Sequence, residues 1–245
     1  RVTQGDTLRS PNYLYRGGLQ TFGCVIANPP FSLKSWGAEQ FSSDVYGRNL
    51  WGSPTDSNAD FAWLQHMVKS MDERTGRCAV VLPQGVLFRS GKEGDIRKRL
   101  ILSDKLDCVI TLVSNLFYGA GVSACILLLN NNKPASHKGK VCLIDGSGIF
   151  TPQRAKNILS DANVDTLFDL YAGYVDVTEC VKIVTIEDLV SKDYTLQVNS
   201  YIEKRVVEGV SPAQVKRDFY AALEEVDAAE AKLYGLLVKG GYIHE

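Results

Sequence analysis

Residues 22–31 read Phe-Gly-Cys-Val-Ile-Ala-Asn-Pro-Pro-Phe. The apolar, β-rich run at 22–27 has the mark of a buried strand. It stops at Asn28-Pro29-Pro30-Phe31, because two consecutive prolines cannot continue a ladder and the chain must leave the sheet there. Segments of the same kind recur outward from this point. Residues 78–82 (CAVVL) predict a second buried strand ended by Pro83, 106–112 (LDCVITL) a third, 122–129 (VSACILLL) a fourth and 141–145 (VCLID) a fifth. A helix opens at Asn58 or Asp60, with Phe61, Leu64, Met67, Val68 and Met71 at helical spacing and Gly76 closing it. Residues 93–102 read as a basic amphipathic helix, and 32–57, polar and rich in Gly and Ser, as a long loop of the functional or mobile kind. This alternation predicts a mostly parallel α/β sheet covered on both faces. Ligands of such sheets bind at the carboxyl ends of the strands, where Asn28, Pro83 and the 113–121 loop fall.

Beyond residue 150 the strand signal fades. A helix is expected near 153–161 and a docking segment near 185–204. Ser211-Pro212 then starts a long helix, with Ser at the N-cap and Pro at the first helical position. Along it Val215, Phe219, Leu223, Val226, Leu233 and Leu237 form a narrow apolar stripe on a charged background, as in a coiled coil, and Gly240-Gly241 ends it. The domain boundary is therefore expected at 150, with 1–150 carrying the sheet and 151–245 forming a helical docking region.

The chain has 245 residues, a hydrophobic fraction of 45% and a charged fraction of 22%. These values exclude disordered, collagenous and disulfide-stapled classes. The net charge is −1, so any contact with nucleic acid depends on a local patch or on a partner rather than on bulk charge. Six cysteines form no C-x-x-C pair and sit away from the three histidines, which argues against zinc and fits a reducing cytoplasm. No apolar run reaches the length of a membrane span.

An asparagine side chain offers one carbonyl acceptor and two donors. Two prolines stiffen the backbone and leave carbonyls without competing N–H groups. The Asn28 side-chain oxygen and the Pro29 carbonyl together suit the two hydrogens of an exocyclic amine, and the Phe31 ring suits the heterocycle that carries it. The lone pair of such a nitrogen is delocalised and poorly nucleophilic. Two acceptors on its hydrogens favour the localised form that attacks a sulfonium methyl, so preorganised electrostatics and positioning replace a strong base. Read as structure only, the same tetrapeptide is a strand-terminating turn.

Apolar strand plus Asn-Pro-Pro-Phe resembles motif IV of the amino-group DNA methyltransferases, although NPPY and NPPF also occur in protein glutamine and RNA adenine methyltransferases. The flanking text ANPPFSLKSWG, NADFAWLQHMV, VVLPQGVLFRSG, IRKRLI and NLFYGAGVSACILLLNNNK is similar to consecutive blocks of the modification subunit of type I restriction-modification systems. The resemblance runs from about residue 5 to 133, and the C-terminal helix matches too. It implies a partial Rossmann-like, S-adenosylmethionine-dependent sheet with a C-terminal helical tail. It further implies methylation of adenine N6 in DNA with the base taken out of the stack. Implied partners are DNA, a specificity subunit docked on the C-terminal helix, and a restriction subunit in systems that have one. Asp6, in Gly5-Asp6-Thr7-Leu8, falls where the family accepts from the cofactor's adenine, with Asn28 also at the cofactor. Phe117 falls where related enzymes place a second aromatic against the flipped base. The Gly-rich motif I is not found, and the chain begins RVTQGDTL without Met, so it reads as the C-terminal part of a longer enzyme.

Each residue has a plainer reading. Asp6 suits a turn carboxylate; Phe117 and Tyr118 suit core aromatics; Phe61 and Trp63 suit helix packing rather than cofactor lining. Pro83 and Gly85 suit a structural turn, and Arg97, Lys98 and Arg99 a solvated face rather than phosphate contacts. Two rival functions stay open: a protein or RNA amino-group methyltransferase, and a non-catalytic assembly module.

Overall fold

The structure, a computed structural model, describes residues 2–117, 123–154, 156–203 and 211–243. They fall into two compact units, Arg1–Lys204 and Arg205–Glu245. The first opens with a hairpin of β1 (Leu14–Tyr15) and β2 (Gly18–Leu19). Arg16 and Gly17 turn it with φ of 50° and 81°, the paired positive values that match strand twist. Then follow β3 (Cys24–Ala27), α1 (Ala38–Ser42), α2 (Asp60–Lys69), β4 (Arg77–Pro83), a 3-10 turn at Gln84–Leu87, α3 (Lys92–Leu102), β5 (Leu106–Leu112), β6 (Ala124–Asn130) and β7 (Lys140–Gly146). Next come α4 (Asp161–Gly173), β8 (Val181–Thr185), α5 (Ile186–Ser191) and a 3-10 turn at Val198–Ser200.

Six strands form one sheet in the order β3-β4-β6-β5-β7-β8. The pairs β3–β4 and β5–β7 are parallel; β4–β6, β5–β6 and β7–β8 are antiparallel. The fold is α/β as expected, but the sheet is mixed rather than mostly parallel. The connection from β5 to β6 is too short for a crossover, so the chain doubles back and β6 inserts between β4 and β5. β3, β4, β5 and β7 still point the same way, and their carboxyl ends share one edge.

Alternate strand residues feed two cores. On one face Val80, Leu82, Val109, Leu127 and Leu143 pack with Phe61 and Leu64 of α2, Ile96 and Leu100 of α3 and Leu189 of α5. On the other, Cys108, Ile110, Cys142 and Ile144 pack with Leu167 of α4.

Several expectations need correction. β3 is no buried strand: it lies at the sheet edge, and Ile26 is 75% exposed. The helix expected near 153–161 is not formed by the described residues before Asp161. Thr151 and Ile158 form a bridge there, and the helix starts only at Asp161, where Ser160 and Asn163 cap each other reciprocally. β8 was not foreseen, and it makes residues beyond 150 part of the sheet. The first compact unit runs on to Lys204. Arg97 is not on a solvated face; it is 4% exposed and donates to the Tyr194, Val86 and Arg89 carbonyls.

The second unit contains α6 (Pro212–Lys239). The Ser211 side chain accepts from the Gln214 N–H, Pro212 opens the first turn and Gly240 follows the last, as the sequence predicts. Val215, Phe219, Leu223, Val226 and Leu233 are each at least 42% exposed.

Candidate functional site

At the carboxyl end of β3 lies a cavity of about 380 Å³. It is lined by Ile26 to Pro30, by Trp63 and His66 of α2, and by Gly5, Thr7 and Tyr13. Asn28 is exposed and Pro29 buried, and no hydrogen bond from any described residue engages the Asn28 carboxamide. Trp63 also lines the cavity, and its buried indole N–H has no partner among the described residues. Phe61, by contrast, is a core residue at 1% exposure.

Phe31 leaves this cavity and packs edge-on against Phe117, with ring centroids 5.6 Å apart and planes at 76°. Two aromatics distant in sequence thus meet beside the Asn-Pro-Pro turn. Tyr118 and Gly119–Gly121 lie outside the described residues. Asp6 sits between the cavity-lining Gly5 and Thr7, but its Oδ1 accepts from the Leu8 and Arg9 N–H groups at 3.1 and 3.0 Å, closing its own turn. A second, polar cavity of about 300 Å³ lies farther along the same edge, between Gln84, Ser114, Ser123 and Ser147. Beside it the Gln84 amide ties the turn after Pro83 to the Leu112 and Ala124 carbonyls.

Two buried ionic nodes hold these pieces, and neither pairing follows from motif or spacing. Arg48, 2% exposed, donates to the Thr7 and Leu8 carbonyls at 2.9 and 2.8 Å and to Asp44 at 2.6 Å. It thereby fixes the segment after Asp6. Burial pushes the Asp44 carboxyl up, but the hydrogen bonds and charge of Arg48 outweigh it and hold the acid ionised. His66 lies 3.4 Å from the same guanidinium. Burial, reinforced by the Arg48 charge, pulls its pKa from 6.5 down to about 4. No described residue lining this cavity is therefore charged at neutral pH. The second node, centred on Asp60, joins α2 to the loop after Phe31 and to Arg89.

The N-6 DNA Methylase family model matches residues 1–209. The chain is 32% identical over 207 residues to the methylase subunit of the type I restriction enzyme MjaVII of Methanocaldococcus jannaschii, covering 81% of this chain and 35% of that protein. It is 31% identical over 233 residues to the corresponding HindI subunit of Haemophilus influenzae, covering 90% and 52%. Among solved structures, the type I methyltransferase subunit of Streptococcus thermophilus superposes with a TM-score of 0.73 at 30% identity, over 80% of this chain and 41% of that one. The chain thus spans between about a third and a half of the length of these relatives. Among the described residues no helix is long and apolar enough to cross a membrane, and no group of acidic, His or Cys side chains is arranged to hold a metal ion.

Proposed function

The chain belongs to the N-6 DNA methylase family, and from that premise we propose that it carries the target-amine half of an adenine-N6 DNA methyltransferase, within the modification subunit of a type I restriction-modification system. One observation supports this above the others: no described residue engages the Asn28 carboxamide, which stands at the mouth of a cavity whose described lining is uncharged, next to the Phe31–Phe117 pair.

S-adenosylmethionine, when bound, supplies an electrophilic methyl on a positively charged sulfonium. The cavity suits that group because no described residue lining it is cationic, and neutral His66 keeps it so. The Trp63 N–H, without a partner among the described residues, would donate to a polar edge of the cofactor. Asn28 and Pro29 would hold it on the side of the methyl, and Asp6 would accept from its adenine amine after releasing its own turn.

The target adenine must leave the duplex to reach this edge. Its amino group donates one hydrogen to Asn28 Oδ1 and one to the Pro29 carbonyl, and Phe31 stacks on its ring. Held so, the amino lone pair would be localised toward the methyl that the bound cofactor supplies, and the proton released from nitrogen would pass to water. The exposed stripe of α6 is read as the seat of helices from a specificity subunit, which would supply the DNA grip that a net charge of −1 does not.

Asn28→Ala in the assembled enzyme tests the assignment. Loss of one preorganised acceptor is expected to lower methyl transfer by about 10²–10³-fold, with cofactor affinity lowered far less, because most of the cofactor would be held by groups other than Asn28. Turnover close to that of the parent enzyme would remove Asn28 from the chemistry.

A further inference from the structure

We propose that Asp60 is a positioning residue for methyl transfer: its carboxylate fixes the peptide between Phe31 and Ser32, and with it the pitch of the Phe31 ring toward the extruded base. The inference rests on the reading of Asn28–Phe31 as the target-amine site.

Asp60 is the first residue of α2 and is 0% exposed. Its Oδ1 accepts the Ser32 N–H at 2.8 Å and its Oδ2 accepts from Arg89 at 3.1 Å. Its own N–H donates to Asn58 Oδ1 at 2.8 Å, and the preceding Ala59 N–H donates to the Leu33 carbonyl at 3.1 Å. The loop after Phe31 is therefore tied to the start of α2 at two successive residues. The tie matters because Ser32 has φ of 49°, a left-handed conformation that a serine keeps only when its surroundings impose it.

Arg89, which also bonds Glu93 at 3.1 Å, keeps Asp60 from being an uncompensated buried charge. Arg97 holds the Arg89 carbonyl at 2.7 Å, so the charge that faces Asp60 is itself held in place. A buried ion pair is a poor device for stability, because apolar residues of similar volume generally serve as well. It is a good device for direction, because a charge-assisted hydrogen bond orients the one amide plane that follows Phe31.

The assembled enzyme is to be assayed with S-adenosylmethionine and a duplex carrying adenine, or the fluorescent analogue 2-aminopurine, at the target position. Asp60→Ala is expected to lower kcat by about 10²-fold, the scale of a small misplacement at a reacting centre. The KM for the cofactor should hold, and 2-aminopurine emission should rise as stacking on Phe31 loosens. Asp60→Asn loses the charge pair with Arg89 but keeps an oxygen for the Ser32 N–H. It should match Asp60→Ala in lost thermal stability yet recover most of the kcat. If Asp60→Ala does not fold, Asp60→Ser, polar but too short to reach Ser32, replaces it. Parental kcat in Asp60→Ala, or kcat falling in step with the folded fraction in both variants, overturns the proposal. Asn28→Ala run alongside separates the two readings: full activity there overturns the site and the positioning role with it. Loss there with parental kcat in Asp60→Ala overturns the positioning role alone.

Discussion

β5 and β3 are both short apolar runs in one sheet, and they are held in opposite ways. All seven residues of β5 are buried, with β6 and β7 on its two edges and a core on each face. β3 pairs only with β4 among the described residues, and three of its four residues are exposed. Packing is non-directional, and it suffices for β5 because any well-fitting apolar contact serves. Residues after β3 have to aim particular atoms at a cavity. There the structure relies on directional contacts from Arg48 to the Thr7 and Leu8 carbonyls and from Asp60 to the Ser32 amide. A scaffold strand and a working strand can therefore share a composition and differ in what fixes them.

The same substitution in the two strands tests this most strongly. Ile110 of β5 is 5% exposed and Ile26 of β3 is 75% exposed. Ile110→Ala should cost about 2–5 kcal/mol of stability in chemical denaturation, the usual range for a truncated core residue. Ile26→Ala should stay within about 0.5 kcal/mol, as at an open surface. Equal losses would mean that β3 is packed in solution and that the contrast is false.

The scaffold was legible in the sequence because burial on both faces leaves a continuous apolar run. The expected strand 106–112 coincides with β5, and 78–82 and 141–145 fall within β4 and β7. β8 was missed because Lys182 interrupts its apolar run and its burial alternates at the sheet edge. The reversed direction of β6 is encoded in chain length, since too few residues separate it from β5 for a parallel crossover. At the site, strand chemistry alone singled out Asn28–Phe31. Only the family resemblance linked Phe117 to Phe31, because periodicity says nothing about two loops meeting. Asp60 was legible only as a helix opener; its ties to Ser32 and Arg89, and those of Arg48 to Thr7, Leu8 and Asp44, were not, because spacing carries no record of which buried charge meets which amide, carbonyl or charged partner.

Burial at the β3 edge also includes a titratable ring, and this gives the next prediction. His66 titrates near 6.5 when unfolded and near 4 when folded, so the folded state binds its proton less readily. Its contribution to stability is fully present above pH 6.5 and is lost as pH falls from there toward 4, by roughly 3 kcal/mol over the whole window. Urea unfolding at pH 7 and at pH 4 should show that loss, and His66→Gln should remove it from the difference between the two. An unchanged pH dependence in the variant would place the acid sensitivity on another group.

The smallest expected effect sits where the two regions touch, at Phe31 against Phe117. A base held between two parallel rings needs roughly 7 Å between them, two layers of ordinary contact. The rings are 5.6 Å apart and nearly perpendicular, so they fill that space themselves. Base binding must part them, giving up an aromatic pair worth about 0.5–1.5 kcal/mol for a base stack worth about 1–3 kcal/mol. Phe31→Ala should then weaken kcat/KM on a matched duplex by about 1–3 kcal/mol. A mismatch at the target should restore part of the loss, since an unpaired base leaves the stack more readily. Phe117→Ala should cost less than Phe31→Ala, because Phe31 follows directly on the Asn-Pro-Pro turn that holds the amine whereas Phe117 comes from a separate loop. Equal losses for the two variants, or no relief from the mismatch, would make the pair a packing contact of the sheet and Phe31 no platform for the base.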